Sequence, residues 1–368
     1  MEKSKVYFAD MRVGGSDNLL KKLKRLIVAA GFDTIDFKNK FAAIKIHFGE
    51  PGNLSYLRPN YSKVLVDAVA ERGGKAFLTD SNTLYVGGRK NALDHLDAAY
   101  QNGFNPFVTG CHVLIADGLK GTDEALIPVK NGEYVKEAKI GRAIADADVI
   151  ISFAHFKMHE LTGMGGALKN IGMGAGSRAG KMEMHSNGKP NVDQSLCVGC
   201  GACRRNCAHN AITIEDHKAT IHHDICAGCG RCIGICSFDA ISAGESDAYD
   251  MVNYKIAEYT QAVIQDKPSF HINFVVDVSP HCDCHSKNDA PVVPDVGMFA
   301  SLDPVALDKA CADAVNAQPV LPGSALDGLP NDGDHFKAAH PETNWISCLE
   351  HAQKMGMGSM DYELIQVK

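Results

Sequence analysis

The sequence lacks the features typical of membrane proteins, of exported proteins and of nucleic-acid-binding proteins. No apolar run approaches the roughly 20 residues that a membrane-spanning helix needs. The first ten residues, MEKSKVYFAD, contain no apolar segment typical of a signal peptide. The formal net charge of −7 leaves no basic excess for neutralising phosphates. We therefore expect a cytoplasmic protein that binds neither nucleic acid nor membrane.

Cysteine, in contrast, is abundant, with 13 residues. In a chain without an export signal, this content indicates metal or redox chemistry rather than disulfides. Eight cysteines lie between residues 197 and 236, and two more belong to the segment His281-Cys-Asp-Cys-His285. We expect the remaining three to be small buried side chains. These are Cys111, Cys311 and Cys348.

The eight clustered cysteines form two copies of the spacing C-x2-C-x2-C-x3-C, offset by 29 residues. The first copy is Cys197, Cys200, Cys203 and Cys207, and the second is Cys226, Cys229, Cys232 and Cys236. Zinc would not need two complete four-cysteine sets. The spacing resembles that of bacterial-type ferredoxins, in which the fourth ligand of each [4Fe–4S] cluster comes from the other half. The resemblance implies one cluster on Cys197, Cys200, Cys203 and Cys236, and a second on Cys226, Cys229, Cys232 and Cys207.

Outside the cysteine-rich segment, short apolar runs alternate with amphipathic ones. This alternation predicts an α/β domain with a mostly parallel sheet covered by helices. The domain is discontinuous, residues 1–190 and 246–368, and an α+β ferredoxin-type module, residues 191–245, is inserted through polar joints at 186–190 and 244–247. One predicted helix covers Asp17–Ala30, with Ser16 as its cap and Gly31 at its end. The predicted strands are Val6–Ala9, Ala42–His47, Lys75–Thr79, Val113–Asp117, Val149–Phe153 and Ile272–Val278.

The segment from residue 155 to residue 185 combines glycines with titratable side chains directly after a predicted strand. In a doubly wound sheet, ligands bind outside the carboxyl ends of the strands. The segment therefore predicts a site, although a flexible glycine-rich lid with solvated charges would have similar composition. The predicted catalytic residues are His159 and Lys169, and the predicted cofactor-binding residues are Gly163, Gly165, Gly166 and His185.

Two further polar stretches follow predicted strands. Lys45–Asn53 and Asp80–Asn82 lie where neighbouring strands end, so both can line the same crevice. His47 is equally compatible with a hydrogen-bonded core residue, and Asp80 with a helix cap. Cys282 and Cys284 are candidate ligands for a third metal, of the soft or borderline kind, or else form a reduced thiol pair in a turn.

Four segments together resemble the domain-of-unknown-function 362 family, whose members often carry an inserted two-cluster ferredoxin module. These are Lys45–Glu50, Thr79–Tyr85, His159–Asn170 and Ser301–Asp308. The glycine-rich segment is also distantly similar to the nickel-pincer lactate racemase family, although the arginine-rich signatures of that family are not evident. That resemblance implies a small cofactor in the α/β domain. Its implied roles are proton transfer for His159, anchoring of the pincer cofactor for Lys169 and nickel binding for His185.

These features favour a protein that passes electrons through two [4Fe–4S] clusters to a substrate or cofactor site in the α/β domain. The electrons would come from a redox partner protein, such as a ferredoxin, a flavodoxin or a reductase. The sequence leaves open whether the protein is an enzyme, which would then be an anaerobic oxidoreductase acting on a small molecule. Two alternatives stay open, a non-enzymatic electron carrier and a metal-handling protein that uses Cys282 and Cys284.

Overall fold

A computed structural model describes residues 3–85, 87–186, 189–243 and 249–368. Within these ranges, no helix is both long enough and apolar enough to cross a bilayer. The strands of this part of the chain are β1 Ser4–Asp10, β2 Phe41–Lys45, β3 Lys75–Asp80, β4 Val113–Ile115, β5 Glu124–Pro128, β6 Glu137–Gly141, β7 Val149–His155, β8 Lys157–His159, β9 Gly163–Gly165, β10 Asn191–Val192, β11 Ile212–Glu215, β12 Lys218–Ile221, β13 Ile241–Ser242, β14 Ser269–Val275, β15 Gly297–Ser301 and β16 Tyr362–Gln366.

The helices lie between these strands, and a single 3-10 turn covers Phe32–Thr34. In the same described ranges the helices are α1 Leu19–Ala29, α2 Pro59–Glu71, α3 Ala92–Gln101, α4 Pro106–Thr109, α5 Arg142–Ala145, α6 Ala167–Ala175, α7 Arg178–Ser186, α8 Ala202–Asn206, α9 Arg231–Ile235, α10 Tyr249–Ile264, α11 Pro304–Asn316, α12 His335–Ala339 and α13 Ile346–Lys354. Asn18, rather than Ser16, caps α1, because its side chain accepts from the amide of Lys21. Gly31 follows α1 in the left-handed region, with φ 94°.

The main sheet has eight strands in the order β16-β1-β15-β14-β7-β2-β3-β4. The pairs from β14 to β4 are parallel, as is the pair of β1 with β16. The prediction of a mostly parallel α/β sheet is therefore confirmed. Its exception is β15, which runs antiparallel to both neighbours because a loop, residues 276–296, connects it to β14 without a crossover helix.

The apolar core lies on both faces of this sheet. Along β7, Val149, Ile151 and Phe153 pack on one side, while Ile150 packs on the other. Side chains alternate between the two faces of a strand, so a strand covered on both sides is buried at every position. All seven residues of β7 are indeed buried. This coverage leaves the ends of the strands as the place where polar side chains can gather.

Helices α6 and α10 pack at very close range on one face of the sheet. A Cβ atom added at Gly172 would overlap the carbonyl oxygen of Ile256 and lie 2.7 Å from Oγ1 of Thr260. The hydroxyl of Thr260 donates to the carbonyl of Leu168 at 2.8 Å. The contact fixes α6, the helix that carries Lys169, against α10.

Gly172→Ala should lower the free energy of unfolding by about 1–3 kcal/mol, because the added methyl group forces two tightly packed backbones apart. Denaturant unfolding measures this difference. Gly14→Ala is the matched control, because a Cβ at Gly14 would have nothing within 4 Å. An equal effect of the two substitutions would contradict the close packing of α6 on α10.

The cysteine-rich segment forms a small unit of its own secondary structure. Strands β10 and β13 pair antiparallel, as do β11 and β12. Helices α8 and α9 begin after Gly201 and Gly230, both of which are left-handed. The predicted joints fall partly on residues 187–188 and 244–247, which lie outside the described ranges.

Candidate functional site

A cavity lies at the carboxyl edge of the parallel strands. Lys45 ends β2, Asp80 ends β3 and His155 ends β7, and all three line the cavity. Cys282 reaches it from the loop after β14. The prediction that the stretches around Lys45 and Asp80 share one crevice is confirmed. The carboxyl ends of parallel strands meet at one edge, so residues distant in sequence converge there.

One wall of the cavity is a buried charge network. Nζ of Lys45 lies 2.9 Å from Oδ1 of Asp80 and 3.0 Å from Oδ1 of Asn170. Burial disfavours the carboxylate, but Lys45 and the other basic side chains nearby together outweigh burial and hold the pKa of Asp80 far below its usual range. A Cβ at Gly174 would overlap the Lys45 ammonium. Gly174 is therefore needed for the lysine to reach its partners.

A second network holds the loop that carries the cysteine pair. The buried carboxylate of Asp283 lies 2.9 Å from Nδ1 of His155 and 2.8 Å from Nζ of Lys157. Nε2 of His155 lies 2.8 Å from the carbonyl oxygen of Val276. One side chain on β7 and one on β8 thereby hold in place the residue between Cys282 and Cys284.

The cysteine pair stands beside both predicted catalytic residues. Nζ of Lys169 lies 3.7 Å from Sγ of Cys282, and ligand atoms of His159, Cys282 and Cys284 lie within 4.8 Å of one another. The hydrogen bond from Cys284 is the main cause that lowers the pKa of Cys282 well below its usual range, with Lys169 and His159 adding to it despite burial. The shared proton raises the pKa of Cys284. Cys282 is therefore the more acidic thiol of the pair.

His185 and Lys181 line the cavity on the side of α7. Nε2 of His185 lies 2.9 Å from the hydroxyl of Tyr85, and burial lowers the pKa of His185 to about 3. Burial also lowers the pKa of Lys181 to about 8, while its ammonium donates to the carbonyl of Gly176 at 2.6 Å. At neutral pH the wall therefore presents a neutral imidazole and an ammonium. The structure thus brings His159, Lys169 and His185 to one cavity.

The three predicted cofactor-binding glycines have different surroundings. Gly165 and Gly166 line the cavity, whereas Gly163 does not. Gly163 has φ +77°, and a Cβ there would lie 2.6 Å from Cβ of Trp345, so close packing requires this glycine. The first amides of α6, at Ala167 and Leu168, donate to the carboxylate of Asp308 at 2.7 and 2.9 Å. The backbone amides at the start of α6 are therefore hydrogen-bonded to a carboxylate of the chain rather than to a ligand.

The cysteine-rich segment contains two pockets, each lined by four cysteines. One is lined by Cys197, Cys200 and Cys203 from the first copy of the repeat and by Cys236 from the second. The other is lined by Cys226, Cys229 and Cys232 from the second copy and by Cys207 from the first. All 13 cysteines of the chain are free thiols, and Cys111, Cys311 and Cys348 are buried as predicted. The chain is thus rich in thiol groups arranged to hold metal.

Backbone amides point at the sulfur atoms of these pockets. Ala219 donates to Sγ of Cys197 and Ala211 donates to Sγ of Cys207, both at 3.3 Å. The amide of Gly228 lies 3.4 Å from Sγ of Cys226. Such hydrogen bonds favour the charged form of a thiolate. The pockets therefore suit deprotonated cysteines bound to a metal centre.

Helix α7 lies between the cavity and the cysteine pockets. Lys181 and His185, four residues apart, face the cavity. Arg178 and Met182, also four residues apart, face the cysteine segment, where a Cβ at Gly230 would lie 2.7 Å from Cγ of Arg178 and 3.2 Å from Cγ of Met182. Residues four apart share one face of a helix. Two adjacent faces of α7 therefore contact the two regions.

Arg178 is a residue that sequence reasoning missed. Its side chain is fully buried and donates to the carbonyl of Lys90, and within the described ranges its Nε and Nη1 have no hydrogen-bond partner. Arg89 was missed as well; it is buried, with Nε 2.7 Å from Oε2 of Glu50. Nothing in the local sequence distinguishes either arginine from a surface residue, since burial of an arginine depends on distant partners.

A comparison with protein families identifies the chain. The family model described as domain of unknown function (DUF362) matches residues 42–313. The chain belongs to the DUF362 family. This confirms the family resemblance of the glycine-rich and strand-end segments. The matched region of this DUF362 protein includes the cavity loops and the cysteine-rich segment.

Two solved structures are similar to this DUF362 protein at low identity. The lactate racemase apoprotein from Thermoanaerobacterium thermosaccharolyticum is 11% identical, with a TM-score of 0.40 over 86% of this chain and 58% of its own. A structural-genomics protein from Thermotoga maritima is 12% identical, with a TM-score of 0.37 over 72% of this chain and 52% of its own. The chain thus spans little more than half the length of either. No curated protein matches it.

Proposed function

We propose that this DUF362 protein is an electron-transfer protein with two [4Fe–4S] clusters, which serves a small-molecule site in the cavity of its α/β domain. The observation that carries the proposal is the position of α7. This helix contacts the cysteine segment through Arg178 and Met182 and the cavity through Lys181 and His185. In addition, Leu84 both lines the cavity and packs in the apolar cluster of the cysteine segment.

The cysteine pockets fit the clusters that the proposal assigns to them. Each pocket combines three closely spaced thiols with a fourth from the other repeat, which is the ligand arrangement of two-cluster ferredoxins. Cys203 and the apolar residues Ile212 and Ile233 pack together around them. Bound clusters would supply one-electron reduction, and residues 191–245 would be the inserted module.

The cavity residues would bind and protonate the small molecule. His159 accepts amide hydrogen bonds at Nδ1 from Leu161 and Thr162, at 3.0 and 3.3 Å, which keeps its proton on Nε2. An N–H so held can donate a proton, and Lys169 and Lys181 supply positive charge nearby. Together, His159, Lys169 and Lys181 would thereby stabilise the negative charge that develops on a substrate as it is reduced.

The proposal favours an enzyme over a simple electron carrier. A carrier needs exposed cluster edges, and Cys200 is indeed exposed, so a redox partner protein can dock there. A carrier has no need for a buried cavity with Lys45, Lys169 and His185 in its walls. Perturbed titratable groups in a cavity are typical of catalytic sites.

Anaerobic purification of the full chain tests the proposal directly. The protein should contain about eight irons and eight sulfides per chain, and a low-potential donor should reduce it to a paramagnetic form. Reoxidation by candidate small molecules, followed by absorption, should be lost in Lys169→Ala with the iron content unchanged. A preparation without iron, or clusters that no donor reduces, would overturn the proposal.

Arg178→Met should lower the reduction potential of the cluster on Cys207, Cys226, Cys229 and Cys232. A buried positive charge favours the reduced, more negative cluster, so its removal should lower the potential by roughly 50–100 mV, the effect of about 1–2 kcal/mol in a one-electron step. Redox titration followed by electron paramagnetic resonance measures the shift. The exposed Arg142→Met is the control and should change neither potential. An unchanged potential in Arg178→Met would contradict the position assigned to this arginine.

A further inference from the structure

The cysteine pair belongs to a larger group of metal-ligating atoms. Donor atoms of His159, Cys282 and Cys284 all lie within 4.8 Å of one another, and those of Glu160, Cys284 and His285 do the same. Cys284 is common to both groups. The first group faces the cavity, while Glu160 and His285 are partly exposed, at 37% and 42% of their side chains.

His159 is excluded as a ligand by its hydrogen bonds. Its Nδ1 accepts from two backbone amides, so its proton resides on Nε2. A metal needs a lone pair, and neither ring nitrogen of His159 offers a free one. His159 instead places a ring nitrogen within 4.8 Å of the sulfur of Cys282. This is the role of a residue that orients a ligand and balances its charge.

We infer that Cys282, Cys284, Glu160 and His285 form a binding site for a single borderline divalent transition metal, such as zinc, cobalt, nickel or iron(II). Two sulfurs, one carboxylate oxygen and one imidazole nitrogen are the four ligands of a tetrahedral site for such ions. Oε1 of Glu160 and Nε2 of His285 already lie 2.7 Å apart, and Oε2 of Glu160 lies 3.4 Å from the amide of Cys282.

The surrounding residues fit the charge of such a site. Two thiolates and a carboxylate around a divalent ion leave one net negative charge. Nζ of Lys169, 3.7 Å from Sγ of Cys282, offsets it. Asp283, between the two cysteines, points away to His155 and Lys157 and so holds the loop without competing for the ion. The partly exposed Glu160 and His285 leave a path from solvent for the metal.

This inference goes beyond the proposed function, because it requires neither clusters nor electron transfer. A metal here would stand in the wall of the cavity, next to Lys169 and His159. With four protein ligands the ion would have no open coordination position, so its role would be to fix the loop of Cys282 and Cys284 in the cavity wall. The cavity would then contain a metal centre distinct from the eight clustered cysteines.

Cobalt(II) binding to the anaerobically purified full chain tests the site. After removal of exchangeable metal with a chelator, cobalt content and the thiolate-to-cobalt absorption band are compared between the wild type and Cys284→Ser. The wild type should bind one cobalt more than Cys284→Ser, with that cobalt in a tetrahedral spectrum. The eight clustered cysteines are the same in both chains, so the difference reports this site whether or not clusters are present.

Matched variants keep the result interpretable if Cys284→Ser folds poorly. Glu160→Gln changes a partly exposed ligand and should weaken cobalt binding at least tenfold. Cys111→Ser, a single buried cysteine, and Glu137→Gln, an exposed glutamate on β6, should bind cobalt like the wild type. Equal cobalt content in the wild type, Cys284→Ser and Glu160→Gln would overturn the inference, as would a Cys282–Cys284 disulfide that persists under reductant.

Discussion

Cys207→Ser should deplete the same cluster as Cys226→Ser, although the two residues belong to different copies of the cysteine repeat. Cys207 lines one pocket together with Cys226, Cys229 and Cys232, not with the cysteines that precede it in sequence. Each serine variant should retain about four irons of about eight, because the other pocket keeps all of its thiols. Iron analysis and electron paramagnetic resonance of the reduced protein measure the loss.

Electron paramagnetic resonance spectra, as well as iron counts, show whether two serine variants have lost the same cluster. Cys207→Ser and Cys226→Ser should leave the same signal, that of the pocket with Cys197, while Cys236→Ser should leave the other one. The control is Cys348→Ser, a buried single cysteine that should keep both signals. If Cys207→Ser instead matched Cys197→Ser, the crossed arrangement of the pockets would be wrong.

Glu258→Ala should lower the free energy of unfolding by about 3–5 kcal/mol, the effect expected when one partner of a buried hydrogen-bonded pair is removed. The Glu258 side chain is fully buried on α10. It accepts from the amides of Glu133 and Val135 at 2.8 and 2.6 Å, and lies 2.9 Å from Nε2 of His351. Alanine would leave these donors buried without an acceptor. Denaturant unfolding measures the loss.

The pH dependence of this effect follows from the pKa of Glu258. Burial disfavours its charged form, but the hydrogen bonds from His351 and the loop amides outweigh burial and lower the pKa. The stabilising contribution is therefore complete above about pH 4.3 and is lost as the pH falls through the lowered pKa. Glu350→Ala, an exposed neighbour on α13, should leave stability nearly unchanged at every pH. A similar loss in both variants would contradict the role of Glu258.

The sequence predicted the location of the cavity because a parallel sheet brings strand ends together. Lys45, Asp80 and the segment after β7 could be placed at one edge from the strand pattern alone. The cysteine spacing resembles that of bacterial-type ferredoxins, and this resemblance implied the two sets that line the pockets. Both predictions depend on local, repetitive patterns, which a single sequence displays clearly.

Features that depend on distant partners could not be predicted in this way. The antiparallel β15 has no distinguishing pattern, because its direction is set by the path of the loop after β14. The burial of Arg178 and the contact of Glu160 with His285 require segments far apart in sequence to meet. Ser16 and Asn18 are both good cap residues, and only the start of α1 distinguishes them.

The two faces of α7 have a consequence for experiments that dissect the protein. Met182 and Leu84 are buried in an apolar cluster with residues of the cysteine segment, and Arg178 is fully covered by it. Deleting residues 191–243 would uncover this apolar surface and rehydrate the guanidinium directly behind the cavity wall. Any change in the activity of the shortened chain would therefore combine two effects, destabilisation of the α/β domain and loss of the metal-binding cysteines. Single cysteine substitutions, which leave that surface covered, separate the two effects.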